Sequence, residues 1–467
     1  IILGDKDNNV LDLYDETVVR IRSQKIDFDW IEPYKNNDSN ESVGTGFFIN
    51  NKGFVVTNFH VIDRAIKVYI QLPKYGNKTY ESKIISVYPK LDLALLKIEG
   101  YKNKYFLELG NSDNIKKGVN CVAVGYPLGQ SKLKLTSGII SGFQNGDIQT
   151  DSPINPGNSG GPLIYNNKVI GINYSGYNDF QNVAYAIPIN YLKINLNDMY
   201  KKKFIEYPIL GVVFNNTNQI LINIANGCKE GYYISSVFKN SSMGNSNIKK
   251  GDILCKFDDL DVDNYGEIYL ENLKTKFYIF DYLKYKKIGD VINVSIMRNI
   301  NNKWVNLQDK INLVSNKLFK IREFHFQYEN IDYVIIGGMV IMKLTNNHLD
   351  ILDSKNIEKY KLIENKLENK LIITHILKGS KLSEDNIFGA PLILEEVNNI
   401  KVNNLNDLRK ELKNIQISNN IKYLSFLTEN NKYLVLGLKE TKKEELFLSK
   451  KYNYKLTDFT KDLLGLN

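Results

Sequence analysis

The chain has 467 residues, 61 Lys and Arg against 52 Asp and Glu for a formal charge of +9, and 43% hydrophobic residues. At roughly 100 to 200 residues per domain, this length predicts about three domains, each able to bury its own core. No apolar run reaches the ~18 residues a membrane helix needs, which excludes a spanning helix, and scattered lysines with no basic block set nucleic-acid binding aside. Cys121, Cys228 and Cys255 form no CxxC pair or even-numbered framework, and so read as reduced packing residues. The chain begins at Ile1 rather than Met, which fits removal of an upstream targeting or propeptide segment and leaves the compartment unassigned.

Short strand-like runs punctuated by Gly and Asn fill residues 16 to 190. They are Val18–Arg22, Gly46–Ile49, Phe54–Thr57, Ile66–Leu72, Leu93–Ile98, Cys121–Val124, Leu133–Ser141, Leu163–Tyr165 and Val169–Tyr174. Strands at such short intervals predict barrels or a sandwich, and there are enough of them for two barrels. Between the first two runs, the polar, turn-rich stretch Lys25–Ser42 reads as a surface loop. Its Phe28 and Trp30 could anchor a contact, or the loop could pack on its own barrel.

Three residues in these runs suggest chemistry. A nucleophilic serine needs a base, an orienting acid and backbone N–H donors for the oxyanion. Ser159 lies in Ser152-Pro-Ile-Asn-Pro-Gly-Asn-Ser-Gly-Gly-Pro162, where glycines allow a tight turn and leave the N–H groups around Gly157, Asn158 and Ser159 accessible as an oxyanion hole. His60 closes the Phe54 run and is the only histidine in the first 300 residues; His325, His348 and His375 lie far downstream. Asp92 precedes the apolar Leu93–Ile98 run, where a buried acid needs a partner. Taken singly, these are an ordinary turn serine, a packed histidine and a strand cap. In the order His60, Asp92, Ser159 they match the chymotrypsin-like arrangement and not that of subtilisins or α/β-hydrolases.

The segments Gly44-Thr-Gly-Phe-Phe-Ile49, Thr57-Asn-Phe-His-Val61, Asp92-Leu-Ala-Leu-Leu-Lys97 and Asn155-Pro-Gly-Asn-Ser-Gly-Gly-Pro-Leu163 resemble the HtrA (Deg-type) serine proteases. Val124-Gly-Tyr-Pro-Leu-Gly129, Leu135–Ser141 and Ala184–Ile189 fit the same pattern in order. The resemblance implies a mainly β chain: a chymotrypsin-like double β-barrel followed by two α+β PDZ-like domains. It further implies catalytic His60, Asp92 and Ser159, no cofactor or metal, and a primary pocket bordered by Ile154, Asn155, Asn173, Tyr174, Ser175 and Ala184 that suits small or medium apolar side chains. Misfolded or unfolded proteins would be the substrates, cleaved without ATP, with chaperone-like activity and a trimeric or hexameric homo-oligomer. The alternative is a PDZ-bearing chaperone or scaffold with a resting or inactive protease domain.

Beyond the strands, Asn190–Lys203 has helical apolar spacing, and Tyr207-Pro208 marks a boundary. Leu210–Phe214, Gly231–Val237 and Lys249–Phe257 resemble a PDZ module, which implies a carboxylate loop at Leu210, Gly211, Val212 and Val213 for peptide C-termini. A groove helix is expected within residues 272–287, followed by a strand over Val291–Arg298. The last region resembles the divergent second PDZ-like domain of the plant-and-protist Deg subgroup, with a helix within Val402–Leu412 and Gly389-Ala-Pro391 where a carboxylate-binding pattern would stand; an assembly or regulatory role is expected of it. The expected domains are 1–204 (protease), 205–317 (PDZ) and 318–467 (divergent PDZ-like).

Overall fold

The structure is a computed structural model that describes residues 12–35, 39–174, 183–384 and 389–466. Apolar runs with fully buried Val18, Val19, Ile21, Val55 and Val56 form strands β1 (Val18–Ile26) and β3 (Phe54–Thr57), the short bounded runs expected of a closed β structure. With β2 (Ser39–Phe48), β4 (Ala65–Gln71), β5 (Thr79–Tyr88) and β6 (Leu93–Lys97) they close a barrel in the order β1-β2-β3-β6-β5-β4. A second barrel follows, built from β7 (Asn120–Gly125), β8 (Lys134–Gln144), β9 (Asp147–Thr150), β10 (Pro162–Tyr165), β11 (Lys168–Tyr174) and β12 (Ala184–Pro188) in the order β10-β11-β12-β9-β8-β7. Closure pairs every strand on both sides, which removes the edges that would invite aggregation. Helix α1 (Phe59–Ile62) is a single turn after β3, and α2 (Ile189–Met199) buries Ile189, Tyr191, Leu192 and Met199 in a core shared with residues of both barrels.

The chain divides into two compact units, one comprising Ile1–Lys25 with Ser39–Asn316 and the other Ile26–Asp38 with Lys317–Asn467. Within the first, β13 (Pro208–Ile209) pairs with β22 (Val314–Ser315). A sheet runs in the order β14 (Val212–Asn215), β15 (Tyr232–Val237), β16 (Ile253–Phe257), β20 (Val291–Ile300), β21 (Lys303–Asn312), with β17 (Leu260–Asp261) attached to β16. Two segments differ from the sequence-based expectation. The groove helix expected within 272–287 is mostly strand and turn. Thr275–Tyr278 forms β19 against β18 (Glu267–Leu270), with Lys276 exposed and Phe277 buried, and only α4 (Ile279–Tyr282) and a 3-10 turn at Leu283–Tyr285 are helical. Cys228 and Cys255 are not reduced packing residues but a disulfide, because the turn after α3 (Gln219–Ala225) brings its Cα within 5.8 Å of the one on β16; Cys121 is free and buried.

In the second unit a sheet runs in the order β23 (Tyr333–Ile336), β24 (Met339–Lys343), β25 (Leu371–Ile376), β26 (Leu392–Val397), β29 (Ile421–Thr428), β28 (Gln416–Ser418). Strands β27 (Ile400–Lys401) and β30 (Tyr433–Gly437) pair with β26 and β29. Helix α5 (Leu405–Leu412) packs Leu405, Leu408 and Leu412 into the core, and the Asn404 side chain caps it by accepting from the N–H groups of Asn406 and Asp407. Gly337 and Gly338, both at positive φ, form the turn that lays β23 along β24. Phe28 and Trp30 pack in this unit rather than on the barrel whose strands flank them: Phe28 stacks on Phe326 at 4.6 Å, and Trp30 meets His348 edge-on at 5.5 Å. Among the described residues no helix is long and apolar enough to cross a membrane.

Candidate active site

The end of β3 delivers His60. Asn58 leads into α1, and the chain opposite is Asp92, held at positive φ at the end of a 3-10 turn over Pro89–Leu91. One Asp92 oxygen lies 2.7 Å from His60 Nδ1 and the other accepts the His60 backbone N–H at 2.8 Å. The Asp92 carbonyl accepts from Phe59 N–H and from the Asn58 side chain, each at 3.0 Å. The acid therefore fixes both the backbone and the ring of the histidine. Donation from Nδ1–H to the carboxylate leaves Nε2 with its lone pair available as a base. Asp92 is only partly buried, with 28% of its side chain accessible against 47% for His60.

Ser159 is built from the backbone outward. The four carbonyls from residue 156 to 159 are each held: Pro156 by Leu128 N–H at 2.6 Å, Gly157 by the Thr45 hydroxyl at 2.6 Å, Asn158 by Gly161 N–H at 2.9 Å and Ser159 by Thr45 N–H at 2.9 Å. In a trans peptide the N–H points opposite to the C=O of the same plane. Fixing the Pro156 and Asn158 carbonyls thus aims the N–H groups of Gly157 and Ser159 away from those contacts, and among the described residues neither donates to a protein acceptor. Both are among the three donors expected to face an oxyanion, whereas the third, the Asn158 N–H, donates to the Asn155 carbonyl at 3.0 Å instead. Gly157 and Gly160 have φ of 99° and 86°, and a Cβ at Gly160 would lie 2.1 Å from the Thr45 carbonyl. Gly160 also abuts Asn58 N, which brings the serine loop beside the histidine turn. Ser159 is buried, and its Oγ makes no hydrogen bond among the described residues, to His60 included.

The expected pocket residues have mixed surroundings. Asn173 is fully buried; its N–H and C=O pair with Gly161 and Gly160, and its side chain donates to the Pro162 carbonyl at 3.1 Å. The Tyr174 hydroxyl donates to Asp147 at 2.8 Å. Burial raises the Asp147 carboxyl above its ordinary range, and Lys284 at 3.4 Å pulls it back. Ala184 is buried opposite Thr150, Ile154 packs at the edge of the second barrel's core, and Asn155 is exposed with its carbonyl accepting from Asn158 N–H. Ser175 lies outside the described residues. At the expected carboxylate loop, Leu210 is fully buried and its carbonyl accepts from Met243 N–H. Gly211 takes φ 72°, and its carbonyl accepts from Phe238 N–H and the Ser241 hydroxyl. Val212 and Val213 begin β14, the terminal strand of its sheet. Thr45, Tyr126 and Leu128 had no role assigned from sequence, although they lie inside the motifs Gly44-Thr-Gly and Val124-Gly-Tyr-Pro-Leu-Gly129. No group of three or more potential metal ligands occurs among the described residues.

Residues 44–172 match the Trypsin-like peptidase domain family and residues 321–456 the PDZ domain family. The chain is 34% identical over 274 residues to a Serine protease Do-like HtrA of Lactobacillus helveticus, covering 54% of this chain and 63% of that protein. The chain is a homologue of the HtrA serine proteases. This HtrA homologue is also 24% identical over 392 residues to the Putative protease Do-like 13 of Arabidopsis thaliana, covering 80% of this chain and 75% of that one. Among solved structures, the HtrA-type protease AlgW with tripeptide superimposes with a TM-score of 0.52 at 25% identity, covering 66% of this chain and 96% of that chain. The chain thus spans about three-fifths of the Lactobacillus protein's length. Its mainly β architecture of two closed barrels followed by PDZ structure is the one expected from the resemblance.

Proposed function

We propose that this HtrA homologue is an ATP-independent serine endopeptidase of protein quality control that cleaves misfolded or unfolded proteins by acyl transfer. His60 takes the proton of Ser159 as the hydroxyl attacks the scissile carbonyl, Asp92 orients and electrostatically supports the imidazolium, and the N–H groups of Gly157 and Ser159 stabilise the tetrahedral oxyanion. His60 then protonates the leaving amine, and water repeats the sequence to release the acyl group. The observation that carries this reading is the double grip of Asp92 on the ring and backbone N–H of His60. Residues 1–204 would form the protease domain, 205–317 a PDZ domain taking peptide C-termini at Leu210–Val213 by strand addition to β14, and 318–467 a PDZ-like domain with an assembly or regulatory role. A trimeric or hexameric assembly and a chaperone-like activity belong to the same proposal.

A second reading, a chaperone or scaffold with a resting protease domain, draws on the absence of a Ser159–His60 hydrogen bond among the described residues. One experiment separates the two. Purified chain and its Ser159→Ala variant are incubated with a fluorescently labelled unfolded protein and with a fluorophosphonate that forms a stable adduct on an activated serine. The protease reading requires cleavage and labelling that fall by about 10⁶-fold in the variant. Neither cleavage nor labelling by the unaltered chain would favour the resting state, and equal cleavage by both forms would dismiss Ser159.

A further inference from the structure

We infer that Thr45 is a positioning residue whose hydroxyl holds the oxyanion donors of Gly157 and Ser159 in register; the inference rests on the triad reading proposed above. Thr45 is wholly inaccessible and sits at the middle of Gly44-Thr45-Gly46, near the end of β2. Its hydroxyl accepts from Tyr126 N–H at 3.0 Å and donates to the Gly157 carbonyl at 2.6 Å. Its own N–H donates to the Ser159 carbonyl at 2.9 Å, and its carbonyl accepts the Thr57 hydroxyl at 2.7 Å. One residue of the first barrel therefore binds two alternate carbonyls of the nucleophile loop.

Peptide planarity makes this arrangement consequential. The two oxyanion donors belong to the planes 156–157 and 158–159, and the plane between them, 157–158, is held within the loop by the Asn158 N–H, which donates to the Asn155 carbonyl at 3.0 Å, and is tied to the first barrel through the Gly157 carbonyl. Gly157 has φ of 99°, in a region where a glycine has no side chain to resist rotation, so the restraint must come from outside the residue. The Thr45 hydroxyl is the only hydrogen-bond partner of that carbonyl among the described residues. Without it the 157–158 plane keeps only the bond from Asn158 N–H to the Asn155 carbonyl of the same loop, and its anchor to the first barrel, which keeps the donors on either side in register, is lost. The neighbouring glycines fit the same purpose. A Cβ at Gly125 would come within 3.0 Å of the Thr45 hydroxyl, and one at Gly161 within 3.1 Å of its methyl group. Both keep the space in which the threonine sits.

The test compares the full chain with Thr45→Val, Thr45→Ala, Thr45→Ser and Ser159→Ala. Cleavage of the labelled unfolded protein gives kcat and KM, with kcat expressed per site titrated by the fluorophosphonate, so that a loss of folded protein alone leaves it unmoved. Thr45→Val and Thr45→Ala are expected to lose about 10²-fold in kcat with KM within about twofold, the pattern of a misaligned transition-state donor. Thr45→Ser keeps the hydroxyl and is expected to stay within about threefold of the unaltered chain. If the valine fails to fold, the alanine and serine variants carry the comparison. The clamp alone is overturned if Ser159→Ala is inactive while Thr45→Ala keeps kcat per titrated site within about threefold, or if Thr45→Ser is as slow as Thr45→Ala. Unimpaired cleavage by Ser159→Ala overturns the nucleophile reading and the clamp with it.

Discussion

Replacing Lys284 with Met removes the cation that faces a buried carboxylate. Lys284 Nζ lies 3.4 Å from Asp147 and 3.6 Å from Asp281, and donates to the Asn145 carbonyl at 2.5 Å. Only 18% of the Lys284 side chain and 17% of the Asp147 side chain are accessible. Removing one member of a buried pair costs about 3 to 5 kcal/mol, because the remaining charge keeps its desolvation penalty; the residual accessibility places Lys284→Met near the lower end, about 3 kcal/mol. Burial raises the folded-state pKa of Asp147, so its contribution is stabilising below the unfolded carboxyl range, near ~4, and is lost as pH rises through the folded value. Without Lys284 that gap widens, so the penalty should be largest at neutral pH and shrink on acidification. Urea midpoints at pH 7 and pH 4.5, read by circular dichroism, measure it, and Asp147→Asn added to Lys284→Met should restore most of the loss. A loss under about 1 kcal/mol, or one equal at both pH values, would refute the reasoning.

Two further outcomes are expected. His348 is wholly buried and desolvation lowers its pKa to about 4, so the unfolded chain, near ~6.5, takes the proton first; stability present above ~6.5 should be lost as pH falls to about 4, by roughly 3 kcal/mol, and Trp30 fluorescence in a Trp304→Phe background should show a pH dependence that His348→Gln abolishes. The Cys228–Cys255 disulfide closes a 27-residue separation, so Cys228→Ala/Cys255→Ala should lower the urea midpoint by the equivalent of about 3.5 kcal/mol, and an unchanged midpoint would rule the cross-link out as a stabiliser.

The barrels and the site's backbone were legible in sequence for a physical reason. At Gly157 and Gly160 a side chain would collide with neighbouring carbonyls, so the geometry can be written only with glycine, and the motif reports the turn directly. His60 and Asp92 were legible because each stands at the end of an apolar run that fixes where its side chain emerges. Thr45 was not, because a buried threonine in a strand looks like packing until its partners, 81 and 112 residues away, are in place. The Cys228–Cys255 pairing was hidden similarly: no spacing rule joins a turn after a short helix to the strand beside it. The aromatic run around Phe277 and Phe280 misled because a buried strand and a buried helix segment share the same composition, and pairing with Glu267–Leu270 decided between them.

The loop between β1 and β2 changes how the C-terminal region can be tested. Phe28, Trp30 and Tyr34 are partly or fully buried against residues of the second unit: Phe326, His348 and Tyr454 respectively. The Thr374 hydroxyl adds a 2.7 Å bond to the Ile31 carbonyl. Deleting residues 318–467 would therefore leave three aromatic side chains without their packing partners, exposing an apolar patch on a loop one residue beyond Lys25, whose ammonium donates to the His60 carbonyl at 2.7 Å. A change in cleavage or assembly after such a truncation would combine loss of the domain with disturbance of this loop. Replacing Phe28, Trp30 and Tyr34 with serine in both the full and the truncated chain separates the two contributions. A truncation effect that persists with the loop made polar belongs to the domain itself, whereas one that disappears belongs to the stranded aromatics.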